Sequence, residues 1–199
     1  MLTSNDICNK ARSIAAEKTL YVKGGGGAKL TPQNKMRFSS NDAFNIKRTN
    51  LIFAASEDTR AFDEFGFLAS ISGYNCRCIG EVAALCEDIS KDFSTILPGE
   101  VVFLKDRFGI FVGDGKVITA NPLGIGETIL DGWASHGKLP EVQYVEPVAE
   151  APVETEVVED GETEMDGDIQ REESEEKPAE ETKQSSEMAV RPSSFRRRH

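Results

Sequence analysis

Apolar residues recur at helical spacing in the first part of the chain and at strand spacing in the second. Ile7, Ala11, Ile14 and Ala15 fall on one helical face, and Thr3 with Asp6 three residues later has the form of a capping box. This first helix is predicted to end before Thr19, where Thr19-Leu20-Tyr21-Val22 reads as a short extended piece. Gly24 to Gly27 then interrupts regular structure. A second helix is predicted over roughly Ala43 to Ser56, with Ile46, Leu51, Ile52 and Ala55 on its core side. A third opens near Phe62, runs through Phe67, Leu68 and Ile71, and stops at Gly73. Ile79, Val82, Ala83 and Cys86 place a fourth on the core at i, i+3, i+4 and i+7.

From Pro98 the period changes. Val101 to Leu104 reads as a strand, followed by Phe108 to Val112, a Gly113-Asp114-Gly115 turn and Lys116 to Ala120. Asp-Gly between two β-branched runs is a strong hairpin signal. Thr128 to Leu130 could add a strand, and Trp133 is expected to pack over the sheet edge. Helices first and strands afterwards, joined by tight turns, predict an α+β fold with an antiparallel sheet.

Charge divides the chain at a different place. Met1 to Tyr144 carries 17 acidic and 16 basic residues, whereas Val145 to His199 carries 17 acidic and 7 basic. The tail therefore holds −10 of the formal −11, and the acidic balance says little about what the folded part binds. Glu146 to Glu187 is rich in Glu, Pro, Thr, Ser and Val, with no aromatic residue and no period. Such a segment cannot bury enough apolar surface to offset an ordering entropy of roughly 1–2 kcal/mol per residue, and it is predicted to be disordered. Two regions are expected: a domain over 1–145, and an acidic tail over 146–199 whose end, Arg191 to His199, is basic. That end reads either as a docking element or as a solubilising terminus.

Several classes are disfavoured. A nearly neutral domain and an acidic tail do not suit a phosphate backbone, so nucleic acid is not an expected partner. No apolar run suits a membrane span, and Met1 to Ile7 has no positive n-region, which predicts synthesis in a cytoplasm without a signal peptide. Four cysteines in a chain this long do not form a disulfide framework. A zinc site from Cys76, Cys78 and Cys86 lacks a fourth ligand and the usual spacing, and no cofactor is expected. Gly24 to Lys29 does not satisfy the phosphate-loop pattern, and is read as a loop that brings backbone close to a groove.

Five stretches carry a resemblance. Asp63-Glu64-Phe65-Gly66-Phe67-Leu68 and Arg107-Phe108-Gly109-Ile110-Phe111-Val112-Gly113 are followed by Val117-Ile118-Thr119-Ala120. Before them come Leu20-Tyr21-Val22-Lys23-Gly24-Gly25 and Pro98-Gly99-Glu100-Val101-Val102-Phe103, and Trp133 to Pro140 closes the series. These segments resemble, in order, the NlpC family of papain-like peptidoglycan hydrolases, especially phage lysins. The family places Asp-Cys-Ser-Gly-Phe-Val at the start of a core helix and His-Val-Gly-Ile-Tyr-Val-Gly on a strand. A second histidine follows at the interval that here separates Arg107 from Thr119. The resemblance implies a papain-like fold with helices on an antiparallel sheet. It also implies a groove at Tyr21, Asp63, Glu64, Arg107 and Thr119.

The same residues speak against the family's chemistry. Acyl transfer needs a thiolate nucleophile, an imidazole to move the proton and a polar group to orient it. Glu64 is a carboxylate in the nucleophile's place, Arg107 stays protonated and cannot act as a base, and Thr119 has no imidazole to orient. His136 reads as a loop residue and His199 lies in the tail. Cys8 and Cys86 read as structural thiols, and Cys76 and Cys78 as loop or half-buried ones. Glu64 and Arg107 are expected either to pair across the groove or to be two unrelated surface charges. The expected function is a catalytically inactive NlpC-like binding or structural module, encoded by a phage or prophage. Its expected partner is cell-wall peptide or a virion or partner protein, and its place the virion or the cell wall after release. The alternative is an active peptidoglycan hydrolase with Cys76 or Cys78 as a displaced nucleophile.

Overall fold

Residues 1–144 are described by the computed structural model, and the acidic tail and its basic end lie outside them. Strand β1 (Leu2–Thr3) leads into helix α1 (Ser4–Ala16). Thr3 caps it: its side chain accepts from the Asp6 amide at 3.1 Å, while the Asp6 carboxylate accepts from the Thr3 amide at 3.0 Å. Both donors would otherwise be unsatisfied at a helix start. The buried stripe is Ile7, Cys8, Ala11 and Ile14, close to the predicted face.

Strand β2 (Thr19–Tyr21) follows, and β3 (Gly26–Lys29) begins inside the glycine run. The run therefore holds a turn and then a strand, where an interruption alone was expected. Helix α2 (Pro32–Asn41) was not foreseen, although Thr31 caps it and Pro32 sits in its first turn. The helix expected from Ala43 to Ser56 is two pieces, α3 (Ala43–Lys47) and α4 (Thr49–Ala54), broken at Arg48. Its expected core side is also corrected: Ile52 is buried, while Ile46 and Leu51 are 54% and 43% exposed. Strand β4 (Arg60–Phe62) then enters α5 (Glu64–Ser72), capped by Asp63 and ended by Gly73 in the left-handed region at φ 84°. Helix α6 (Ile79–Leu85) buries Val82.

The strand half forms one antiparallel sheet. Its members are β5 (Glu87–Ser90), β6 (Val101–Phe103), β7 (Phe108–Gly113), β8 (Lys116–Asn121), β9 (Gly124–Ile129) and β10 (Ser135–Lys138), in spatial order β5-β10-β6-β7-β8-β9. A single 3-10 turn, Phe93–Thr95, lies between β5 and β6. Strand β11 (Val142–Gln143) pairs in parallel with β1, and β4 is flanked by β2 and β3 in a small sheet. The class is α+β with a mainly antiparallel sheet. His136, expected in a loop, is in β10, paired between two strands.

Alternation along the strands separates two faces. Val101, Phe103, Phe108, Ile110, Val112 and Ile118 pack with α1 and α5 in the main core. Val102, Phe111 and Val117 lie on the other face under Trp133, which covers the sheet itself and not only its edge. Burying each such side chain stabilises the fold by about 1.5–3 kcal/mol. A third cluster, with Leu20, Leu30, Phe38 and Ile52, holds the small sheet to helices α2 and α4.

No helix among the described residues is long and apolar enough to cross a membrane.

Candidate functional site

The start of α5 is set by backbone contact with the glycine turn. A Cβ on Gly66 would lie 1.9 Å from the Gly25 carbonyl oxygen, so only glycine lets the helix approach this closely. The Asp63 amide donates to that same carbonyl at 2.9 Å. The Asp63 carboxylate then accepts from Gly24 N and Gly66 N, each at 2.7 Å. It thus ties turn to helix. Burial pushes its carboxyl pKa up, against the two amides that favour the charged form.

Glu64, the first residue of α5, projects into a cleft of about 220 Å³. One wall is Tyr21 of β2 and Phe44 of α3, whose rings meet edge-on with centroids 5.4 Å apart. The other is formed by Asp106 and Arg107 before β7, and by Asn121 at the end of β8 with Pro122 after it. The Glu64 carboxylate accepts from the Tyr21 hydroxyl at 2.6 Å. Burial, then this bond to Glu64, pushes the tyrosine pKa above its usual value, so the phenol stays a donor at neutral pH.

Tyr21, Glu64 and Arg107 therefore share one cleft, and Asp63 lies beneath it as a cap. The expected ion pair between Glu64 and Arg107 is absent among the described residues. Glu64 is committed to Tyr21, and the Arg107 guanidinium lies over the Trp133 ring, 5.6 Å from its centroid. Of the two expectations, independent charges is the one that matches.

Thr119 is not in the cleft. It stands in register with Gly109, and through it with Val102 and His136, on the sheet face that carries Trp133. Its hydroxyl is buried and donates to the Phe108 carbonyl at 2.6 Å. Ala120, one residue on, faces the cleft in its place. The expectation of a groove role for Thr119 failed because one step along a strand reverses the face.

Arg48 was missed, and it shapes the cleft most directly. Its guanidinium donates to the Tyr21 carbonyl at 3.0 Å and to the Pro122 carbonyl, joining the two walls, and it lies over the Phe44 ring. Asn45, fully buried, receives the Lys23 amide and donates back to the Lys23 carbonyl, both at 2.9 Å. No local pattern marks either residue, because the bonds that tie them to Tyr21, Lys23 and Pro122 reach far along the sequence.

Cys76 lines a neighbouring hollow with Asp63, Glu64 and Phe65. Burial, and then the nearby Glu81 and Cys78, pushes its thiol pKa up, which is the wrong direction for a nucleophile. Cys78 is exposed and lines neither the cleft nor this hollow. Burial pushes Cys86 up to about 12, and it raises Cys8 as well. His136 is remote: its Nδ1 bonds the buried Glu100 carboxylate, and its Nε2 meets the Asp92 carbonyl at 2.9 Å. Both ring nitrogens are engaged. Among the described residues no three His, Cys, Asp or Glu side chains gather in a way that could hold a metal ion.

What the cleft offers is a carboxylate, a guanidinium and an aromatic wall, which suit binding. Compared with known proteins, no family model matches this chain, and no curated protein matches it either.

Proposed function

We propose that the chain is a non-catalytic domain of the NlpC-type papain-like class whose cleft binds a peptide of the bacterial cell wall. The observation that carries this reading is Glu64 at the first turn of α5, hydrogen-bonded to Tyr21 and facing a cleft edged by Arg107. A peptidase of that class needs a thiolate where Glu64 stands and an imidazole where Arg107 stands. A carboxylate and a guanidinium cannot form and resolve an acyl-enzyme, yet both bind polar ligands well. Under this reading the protein is a phage or prophage product that works at the cell wall or on the virion.

The test is retention of the full chain on purified sacculi, compared with phage particles, together with zymography on the same cell wall. Retention on sacculi without lysis is expected, and retention by neither sinks the reading. Retention on particles alone moves the partner to the virion.

A second reading has one observation in its favour: Cys76 lies beside Asp63 and Glu64. It makes the protein a hydrolase with a displaced thiol. Lysis that Cys76→Ser abolishes would establish that reading and overturn the first.

A further inference from the structure

The cleft carries two opposite charges that do not satisfy each other. Glu64 spends one oxygen on the Tyr21 hydroxyl, and its other oxygen has no partner among the described residues. The Arg107 guanidinium makes neither an ion pair nor a hydrogen bond among those residues, and its carbon lies over the Trp133 ring, 5.6 Å from the centroid. A contact of that kind holds a guanidinium near the ring without using its N–H donors, which stay available to a ligand. Between the two charges the walls are Tyr21, Phe44 and Pro122. Arg48 fastens the first wall to the last, so this spacing is built into the fold.

We propose that this cleft takes a single amino-acid unit with a free ammonium and a free carboxylate, the ammonium on Glu64 and the carboxylate on Arg107. The inference rests on the reading of the cleft as a binding site and departs from that reading on the occupant, a free amino acid where a cell-wall peptide was proposed. The volume of about 220 Å³ falls below the roughly 300–1,000 Å³ of drug-sized pockets and suits one residue-sized body. An apolar side chain on that body would meet Tyr21 and Phe44. Asp106 lies at the rim and adds a second negative charge on the Arg107 side. The site therefore favours a zwitterion over a simple anion. A raised pKa keeps the Tyr21 proton in place, so Glu64 stays an acceptor oriented toward the cleft.

The test is calorimetric titration of the full chain with leucine, leucinamide and N-acetylleucine. Leucinamide lacks the carboxylate and N-acetylleucine lacks the ammonium, so each is expected to bind roughly tenfold or more weakly than leucine. Arg107→Gln is expected to bind leucine as weakly as leucinamide, and Glu64→Gln to bind it as weakly as N-acetylleucine. Glutamine at 64 still accepts from Tyr21, and Arg107 is exposed, so both variants should melt like the native chain. Equal binding of all three compounds overturns the proposal, as does failure of leucine to bind at millimolar concentration. Sacculus retention without leucine binding sinks this inference alone. Lysis of sacculi by the native chain counts against the reading beneath it, and the three-ligand comparison still decides the chemistry of the cleft.

Discussion

Glu64 and Arg107 illustrate how opposite charges can share a cleft without pairing. Glu64 is held by a phenol and Arg107 by an indole face, so neither depends on the other for stability. Single substitutions to alanine should each be mild, and a double-mutant cycle should give a coupling below about 0.5 kcal/mol by urea denaturation. A coupling of several kcal/mol would mean that they pair in solution. His136 is the opposite case. Its ring and the Glu100 carboxylate are both buried, and each loses its partner if the other is removed. His136→Ala or Glu100→Ala should cost about 1–3 kcal/mol if the orphaned group is neutral, and about 3–5 if it is charged. The double variant should cost less than the two singles together.

Among the elements, α5 depends on a contact that its own sequence does not display. Gly66→Ala would drive a methyl into the Gly25 carbonyl, where backbone meets backbone and no rotamer can relieve the clash. A loss of at least ~1–3 kcal/mol is expected in thermal melts, although alanine is the better helix former. An unchanged melting temperature would show that turn and helix are not in contact.

The limits of the helices were legible where a cap or stop is local. Thr3 with Asp6 and Gly73 mark their ends within a few residues. The β7–β8 hairpin was legible for the same reason, its Asp114-Gly115 turn lying between two β-branched runs. Helix α2 was not, because its one buried apolar residue is Phe38 and the rest of its surface is polar or exposed. Strand β10 has a glycine and no β-branched residue, and it is a strand because two neighbours pair with it. At the cleft, Tyr21, Glu64 and Arg107 could be read from motif-like spacing. Arg48 could not, since Tyr21 and Pro122 lie 27 and 74 residues away along the chain.

For the molecule as a whole, the half-buried tyrosines set a limit at alkaline pH. Burial raises both Tyr21 and Tyr144, the second while its oxygen receives the Leu139 amide at 2.8 Å. An acid with a raised folded pKa keeps its proton longer in the folded state than in the unfolded chain. Its stabilising effect is complete below the unfolded value near pH 10, and is lost as pH rises from there toward the folded value. Stability in urea should therefore decline above about pH 10, and less steeply in Tyr144→Phe than in the native chain. A flat profile from pH 9 to 12 would contradict this.

The last strand of the large sheet, β9, is stopped at both ends by side chains. Thr19 receives the Ile125 amide at 2.9 Å, and the Trp133 indole donates to the Ile129 carbonyl at 3.1 Å. An open sheet edge is a template on which further chains can add, and these two plugs leave only the stretch around Glu127 unguarded. Glu127 is exposed and paired with Lys116, so a growing fibril would have to desolvate an ion pair. This edge of the sheet is thus guarded by residues outside the candidate site. Thr19→Val should fold and yet scatter light on prolonged incubation, while the native chain stays clear.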